Sequence, residues 1–286
     1  MNRTHTIIFI TAVSLLGFSC KEEVKPIAPK PSGAYRVVKT VSHQGLKVDV
    51  VIDKPEQNEV DVMLLYHGTV MDDAKIVEAA QSTLDEFKRI LRRKNMMLIS
   101  VAYPEENLLF GDNLPYAEAA LLWLKQDAEQ ELGIKVGKVF LGGHSQGGYL
   151  VTRLNTIHET NGVIANGPGP LNLVYRCELE ESGKIASGKV CTLLRNTYGT
   201  TTANPQAYRL RSLLNFTEGF KSDILFVQGL DDTPIQMYSW PVFKDNVIKC
   251  SNCRERQILE LPGFGHPALF ESAEAKDSFN AFIGRR

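Results

Sequence analysis

A chain of 286 residues, 43% hydrophobic and 23% charged, has an ordinary globular composition, which excludes a disordered, collagen-like or coiled-coil protein. One large domain is expected, because no Pro/Gly-rich linker divides the middle of the chain. A formal net charge of −1 offers no basic surplus to neutralise a phosphate backbone, so no nucleic-acid partner is expected. The basic cluster Lys88, Arg89, Arg92, Arg93 and Lys94 reads as the solvated face of a helix.

At the N-terminus, Arg3 precedes an apolar run from Ile7 to Leu16. That run falls well short of the roughly 20 residues that cross a bilayer, and it fits the apolar region of a secretory signal peptide. It closes on Gly17-Phe18-Ser19-Cys20, which resembles the lipobox of bacterial lipoproteins, although Gly17 stands where leucine is usual and Phe18 is bulky. The resemblance implies a signal peptide over 1–19 and lipidation of Cys20. It also implies an exported protein held at a bacterial membrane surface by lipid, in the outer membrane or at the cell surface. Lys21-Glu22-Glu23 resembles the acidic tag of surface-exported lipoproteins, and the Pro-containing stretch 20–34 reads as a tether. Ordinary signal cleavage elsewhere, or a buried apolar N-terminus, is the rival reading.

Four further cysteines, Cys177, Cys191, Cys250 and Cys253, form an even set, which in an exported protein points to two disulfides with three possible connectivities. Nearness in sequence favours Cys177–Cys191 and Cys250–Cys253. A structural zinc site would need a second closely spaced ligand pair, which Cys177 and Cys191 do not supply. No metal is therefore expected.

Taken in chain order, alternating residues predict strands over 35–41 and 46–52 around a turn at Gly45. The run DVMLLY over 61–66 is nearly all apolar, as in a strand buried on both faces. Helical spacing over 74–93 follows, then a buried strand over 96–102. A helix is predicted over 116–132, closed by Gly133. Strand 138–142, helix 146–157 and strand 162–165 come next. Residues 167–222 break the rhythm with two cysteines and the Gly-Pro-Gly-Pro run 167–170, and are expected to form a cap over the site. Strand 224–228, helix 234–246, strand 257–261 and helix 269–283 complete the chain. Strands alternating with helices predict an α/β protein with a mostly parallel sheet covered on both faces.

The central motif is Gly143-His144-Ser145-Gln146-Gly147-Gly148, a G-x-S-x-G placed between a predicted strand and a predicted helix. So tight a turn needs glycines flanking the nucleophile, and the helix N-terminus below it offers free N–H groups. A serine hydroxyl also needs a base to take its proton and an acid to orient that base. Two later loops follow predicted strands: Gly229-Leu230-Asp231-Asp232-Thr233-Pro234-Ile235 and Gly263-Phe264-Gly265-His266-Pro267. Loops at the carboxyl ends of strands are where α/β sheets place their sites.

On these residues the sequence from 45 to 286 resembles the α/β-hydrolase superfamily. The resemblance implies an α/β-hydrolase fold with a cap insertion and the chain order Ser145, Asp232, His266 for nucleophile, acid and base. Gly229, Asp232 and Ile235 match the superfamily's G-x-x-D-x-x-V/I acid loop, with Asp231 as the neighbouring alternative. His67-Gly68-Thr69-Val70 is similar to its H-G-x loop, which implies an oxyanion hole from the N–H groups of Gln146 and Thr69, with Val70 as the adjacent choice. His144 and His67 are expected to pack rather than react.

The segment 214–235 is similar to prolyl-oligopeptidase-type peptidases and their esterase relatives. Only about 35 residues precede the first predicted strand, which leaves no room for the peptidases' β-propeller. A serine hydrolase cleaving small carboxylic esters through an acyl-enzyme is thus expected first, and a peptidase acting on short peptides second. A non-catalytic binding module on the same fold is the third reading. No organic cofactor is implied.

Overall fold

A computed structural model describes residues 33–286. The signal segment 1–19, the lipidation site Cys20 and nearly all of the tether 20–34 lie outside the described residues.

Eight strands form one sheet: β1 (Tyr35–His43), β2 (Leu46–Lys54), β3 (Glu59–Tyr66), β4 (Met96–Ala102), β5 (Lys135–His144), β6 (Gly162–Asn166), β7 (Ile224–Gly229) and β8 (Arg256–Leu261). Their order is β1-β2-β4-β3-β5-β6-β7-β8. The hairpin β1/β2 and the β2/β4 pair are antiparallel, and every pair from β4 to β8 is parallel. The carboxyl ends of β3, β5, β7 and β8 therefore lie along one edge, which is where the four loops singled out in the sequence emerge.

The helices are α1 (Ile76–Ile90), α2 (Leu114–Gln126), α3 (Ala128–Leu132), α4 (Gln146–Ile157), α5 (Leu173–Glu181), α6 (Lys189–Tyr198), α7 (Pro205–Arg209), α8 (Pro234–Lys249), α9 (Ala268–Glu271) and α10 (Ala273–Arg285). Strand residues alternate between two apolar layers, as the two-residue period requires. Val62, Leu64 and Tyr66 of β3 face the layer built by α2, α4 and α8, while Met63 and Leu65 face α1, α9 and α10. All of these side chains are fully buried, each contributing roughly 1.5–3 kcal/mol relative to exposure. The mostly parallel sheet with helices on both faces is the expected α/β architecture.

Three predicted helices differ in detail. The expected helix 116–132 is two helices: Asp127, at φ −119° and ψ −26°, interrupts the regular helix while staying in the right-handed region, and Ala128 and Leu132 beyond it are buried. Gly133 closes it in the left-handed conformation, as expected (φ +66°). The expected helix 269–283 breaks at Ser272, whose backbone is extended and whose hydroxyl accepts from Ala275 N at 3.3 Å. A cap bond of this kind competes with helix continuation. The helix from 74 stops at Ile90, so the basic cluster is not one helix face. Lys88 pairs with Asp53, Arg92 with Asp277 and Arg93 with Asp61.

Between β6 and β7 the chain leaves the sheet and forms α5, α6 and α7. Cys177 of α5 is bonded to Cys191 of α6 (S–S 1.99 Å), and Cys250 to Cys253 just after α8 (1.96 Å). Both are the pairings that nearness in sequence favoured. The first links the two helices standing over the carboxyl edge of the sheet.

Candidate active site

Ser145 sits alone between β5 and α4, with φ +58° and ψ −117°. A non-glycine residue held there costs on the order of 1–3 kcal/mol, and it persists only where its surroundings over-determine it. They do so here. A Cβ on Gly147 would stand 1.9 Å from the Tyr66 carbonyl oxygen, and one on Gly143 would stand 2.2 Å from Gly147, so neither position admits a side chain. Ser145 N donates to the Asn166 carbonyl at 2.9 Å, and the Ser145 carbonyl accepts from Tyr149 N and Gly169 N, both at 3.1 Å. The turn is thus tied to β6, to α4 and to the chain that follows β6.

Asp232 follows β7 and is buried, whereas Asp231 is exposed. Its Oδ2 accepts from His266 Nδ1 at 2.7 Å and from Gln228 Nε2 at 3.0 Å, and its Oδ1 accepts from Thr233 N at 2.6 Å. Burial pushes this carboxyl upward, but the bonds from His266, Gln228 and Thr233 outweigh it and hold the group below the usual carboxylate range. A carboxylate on Nδ1 makes that nitrogen the protonated one and leaves Nε2 as the basic lone pair. His266 and Ser145 line one cavity of about 400 Å³.

His144 lies beside His266, with ring centroids 4.7 Å apart and planes tilted by 55°, and its Nδ1 accepts from Asn166 Nδ2 at 2.9 Å. Burial, and then the neighbouring His266, lower it to about 4, so it stays neutral and packs, as expected. Asn166, fully buried at the end of β6, stands in no motif that the sequence displays. Its carbonyl holds Ser145, its amide holds His144, and its side-chain oxygen accepts from Leu269 N at 3.2 Å.

The loop after β3 passes directly beside the turn: a Cβ on Gly68 would lie 3.5 Å from that of Ser145. Thr69 lines the cavity and its hydroxyl donates to Gln146 Oε1 at 2.7 Å. Val70 N donates instead to Glu105 Oε2 at 3.0 Å, as does Met71 N at 3.3 Å. The Val70 amide is therefore engaged away from the cavity. His67 braces this loop, as expected: it is buried, stacked 4.1 Å from Tyr103, and bonded through Nδ1 to the Gly68 carbonyl at 2.7 Å. Tyr103 in turn donates its hydroxyl to the His67 carbonyl.

Glu105, like Asn166, is a residue that sequence reasoning missed. Its side chain is 1% exposed, and burial pushes its carboxyl up to about 7 against the pull of the Val70 and Met71 N–H groups. Glu105 N and Glu106 N both donate to Asp73 Oδ1, at 2.8 and 3.0 Å, so the two loops hold each other. Two adjacent glutamates in a loop carry no sequence signal beyond a solvated surface.

Stability should depend on pH through this group. The folded protein holds the Glu105 proton more tightly than the unfolded chain, whose value is near 4.5. This contribution to stability is complete below that value and is lost as pH rises through about 7. Its size is on the order of 3 kcal/mol, since each tenfold difference in proton affinity between the two states is worth about 1.36 kcal/mol. Glu105→Gln is neutral throughout, so denaturant titrations should show wild type losing stability relative to the variant as pH rises from about 4.5 through about 7. A difference that stays flat across this range would contradict the assignment.

Among the described residues, no group of three or more His, Cys, Asp or Glu side chains is arranged to hold a metal ion.

No protein-family model and no curated protein matches this sequence. Solved structures do match. An esterase from the fungus Rhizomucor miehei superposes with a TM-score of 0.63 at 14% identity, over 89% of this chain and 83% of its own. The hyperthermophilic esterase of the archaeon Pyrobaculum calidifontis gives 0.63 at 15% identity, over 90% and 83%. The chain has the α/β-hydrolase fold. Pyrococcus horikoshii acylaminoacyl peptidase shares this α/β-hydrolase fold with a TM-score of 0.60 at 12% identity, over 89% of this chain but 42% of the peptidase.

Proposed function

We propose that this protein is a serine hydrolase that cleaves small carboxylic esters through an acyl-enzyme. The observation that carries the reading is the Asp232–His266 pair, bonded at 2.7 Å, opening on the same cavity as the strained Ser145. His266 Nε2 takes the Ser145 proton as the oxygen attacks the substrate carbonyl, and Asp232 stabilises the imidazolium that forms. The N–H groups of Gln146, at the start of α4, and of Thr69 receive the developing oxyanion. His266 then returns the proton to the departing alkoxide, and water repeats the sequence on the acyl-enzyme.

An ester is preferred over a peptide on two grounds. The cavity, about 400 Å³, lies beneath the disulfide-linked cap helices and suits a small acyl group. The esterases that share this fold match over most of their own length, whereas the acylaminoacyl peptidase matches over less than half of its chain. A panel of p-nitrophenyl esters of graded acyl length, run beside aminoacyl-proline amides, tests the reading. Short esters should give the higher kcat/KM. Amide cleavage exceeding ester cleavage would make the protein a peptidase.

A further inference from the structure

A second cavity of about 460 Å³ is lined by residues none of which line the catalytic one. Phe110 lines the first cavity and packs edge-on against Tyr149, which lines the second (centroids 4.8 Å apart). Two arginines, Arg153 of α4 and Arg211 just beyond α7, face this second space with Tyr149, Tyr198, Asn204 and Gln206.

The charges there do not balance. Arg211 is paired: Nη1 donates to Asp112 Oδ1 at 2.6 Å and to the Phe110 carbonyl at 2.9 Å, and Nη2 donates to the Tyr198 hydroxyl at 3.1 Å. Arg153 has no carboxylate within 4.0 Å among the described residues. Its Nη1 donates to the Tyr149 hydroxyl at 2.7 Å, and its Nε is buried with no hydrogen-bond partner. The guanidinium lies 3.5 Å from the centroid of the Phe216 ring, which fixes its plane. One carboxylate among two arginines leaves a positive charge in a partly buried recess, and such a charge costs free energy unless an anion answers it. The planar fork of donors on arginine matches a carboxylate or a phosphate.

The surrounding groups suit the same ligand. Tyr149 and Tyr198 each accept from an arginine through the phenol oxygen, so each O–H remains to donate. Gly111, at φ +91°, keeps the space open: a Cβ there would stand 2.9 Å from the Tyr149 hydroxyl and 3.9 Å from Arg211 Nη1.

We propose that this second cavity binds the carboxylate or phosphate group of a small organic anion, with Arg153 as its main contact. Arg211 and the two phenols complete the recognition. The site is separate from Ser145, and the proposal does not rest on the hydrolase reading.

The test is isothermal titration of the full chain with succinate and with inorganic phosphate, at constant ionic strength set by chloride. At least one should bind saturably at one site per chain, and the two arms identify which anion chemistry is preferred. Arg153→Met should weaken that binding at least tenfold, and Arg153→Lys by less. Gln206→Glu places an opposing charge at the exposed rim without touching the packing of Arg153, and should weaken binding as well. The thermal unfolding midpoint shows that each variant is folded. Heats no larger than those of added chloride would overturn the proposal. So would wild-type affinity in both Arg153→Met and Gln206→Glu.

Discussion

Ser145→Ala lowers turnover of a p-nitrophenyl ester by on the order of 10⁴-fold or more, the scale of losing a triad nucleophile. The effect is confined to chemistry because the turn does not depend on the hydroxyl. Its strained backbone is held by the close approach of Gly143 and Gly147 and by the bonds to Asn166, Tyr149 and Gly169. Alanine keeps the same β-carbon at φ +58° and so inherits the strain without adding to it. The variant should unfold at the wild-type midpoint and retain the residual rate that the oxyanion N–H groups supply alone. Undiminished turnover would remove Ser145 from the mechanism.

Asp232→Asn should cost nearly as much, about 10⁴-fold in kcat, because an amide favours the wrong imidazole tautomer and cannot stabilise its cation. The loss should exceed what the hydrogen bond alone is worth: the amide oxygen can still accept from Thr233 N, but the NH2 group in place of Oδ2 faces the donor Gln228 Nε2 and no longer accepts from His266 Nδ1. Asp231→Asn is the control. Its side chain is exposed and its backbone N–H already donates to the Phe264 carbonyl at 2.9 Å, so its turnover should stay within about twofold of wild type, as for a surface change worth under about 0.5 kcal/mol. Steady-state kinetics on the two variants decide between the neighbours, and the reversed order would contradict the geometry.

How far the site is legible in the sequence depends on whether its chemistry is written locally. Ser145, Asp232 and His266 each stand in a glycine-containing loop after a strand, where steric need and the proposed catalytic role coincide in a few adjacent letters. The choice between Asp231 and Asp232 rests on a spacing, and the structure brings only Asp232 to His266. The choice between Thr69 and Val70 cannot be read locally at all. It turns on Glu105, 35 residues away in sequence from Val70, whose carboxylate takes the Val70 amide.

Arg153 is equally silent, because an arginine within an amphipathic helix reads as solvated until its neighbours are placed. Asn166 looks like no more than the polar residue that ends an apolar strand. The sheet is legible for the opposite reason. Runs such as 61–66 and 96–102 have apolar content that only a doubly covered strand can bury. The breaks at Asp127 and Ser272 are hidden because the helical period continues through both residues.

The most direct test of the central claim is intact-mass and peptide analysis after treatment with a fluorophosphonate, which phosphonylates a serine only when a base activates it. One adduct per chain is expected, on the peptide carrying Ser145, absent after Asp232→Asn or denaturation. An unlabelled folded protein, or an adduct on any other serine, would contradict it.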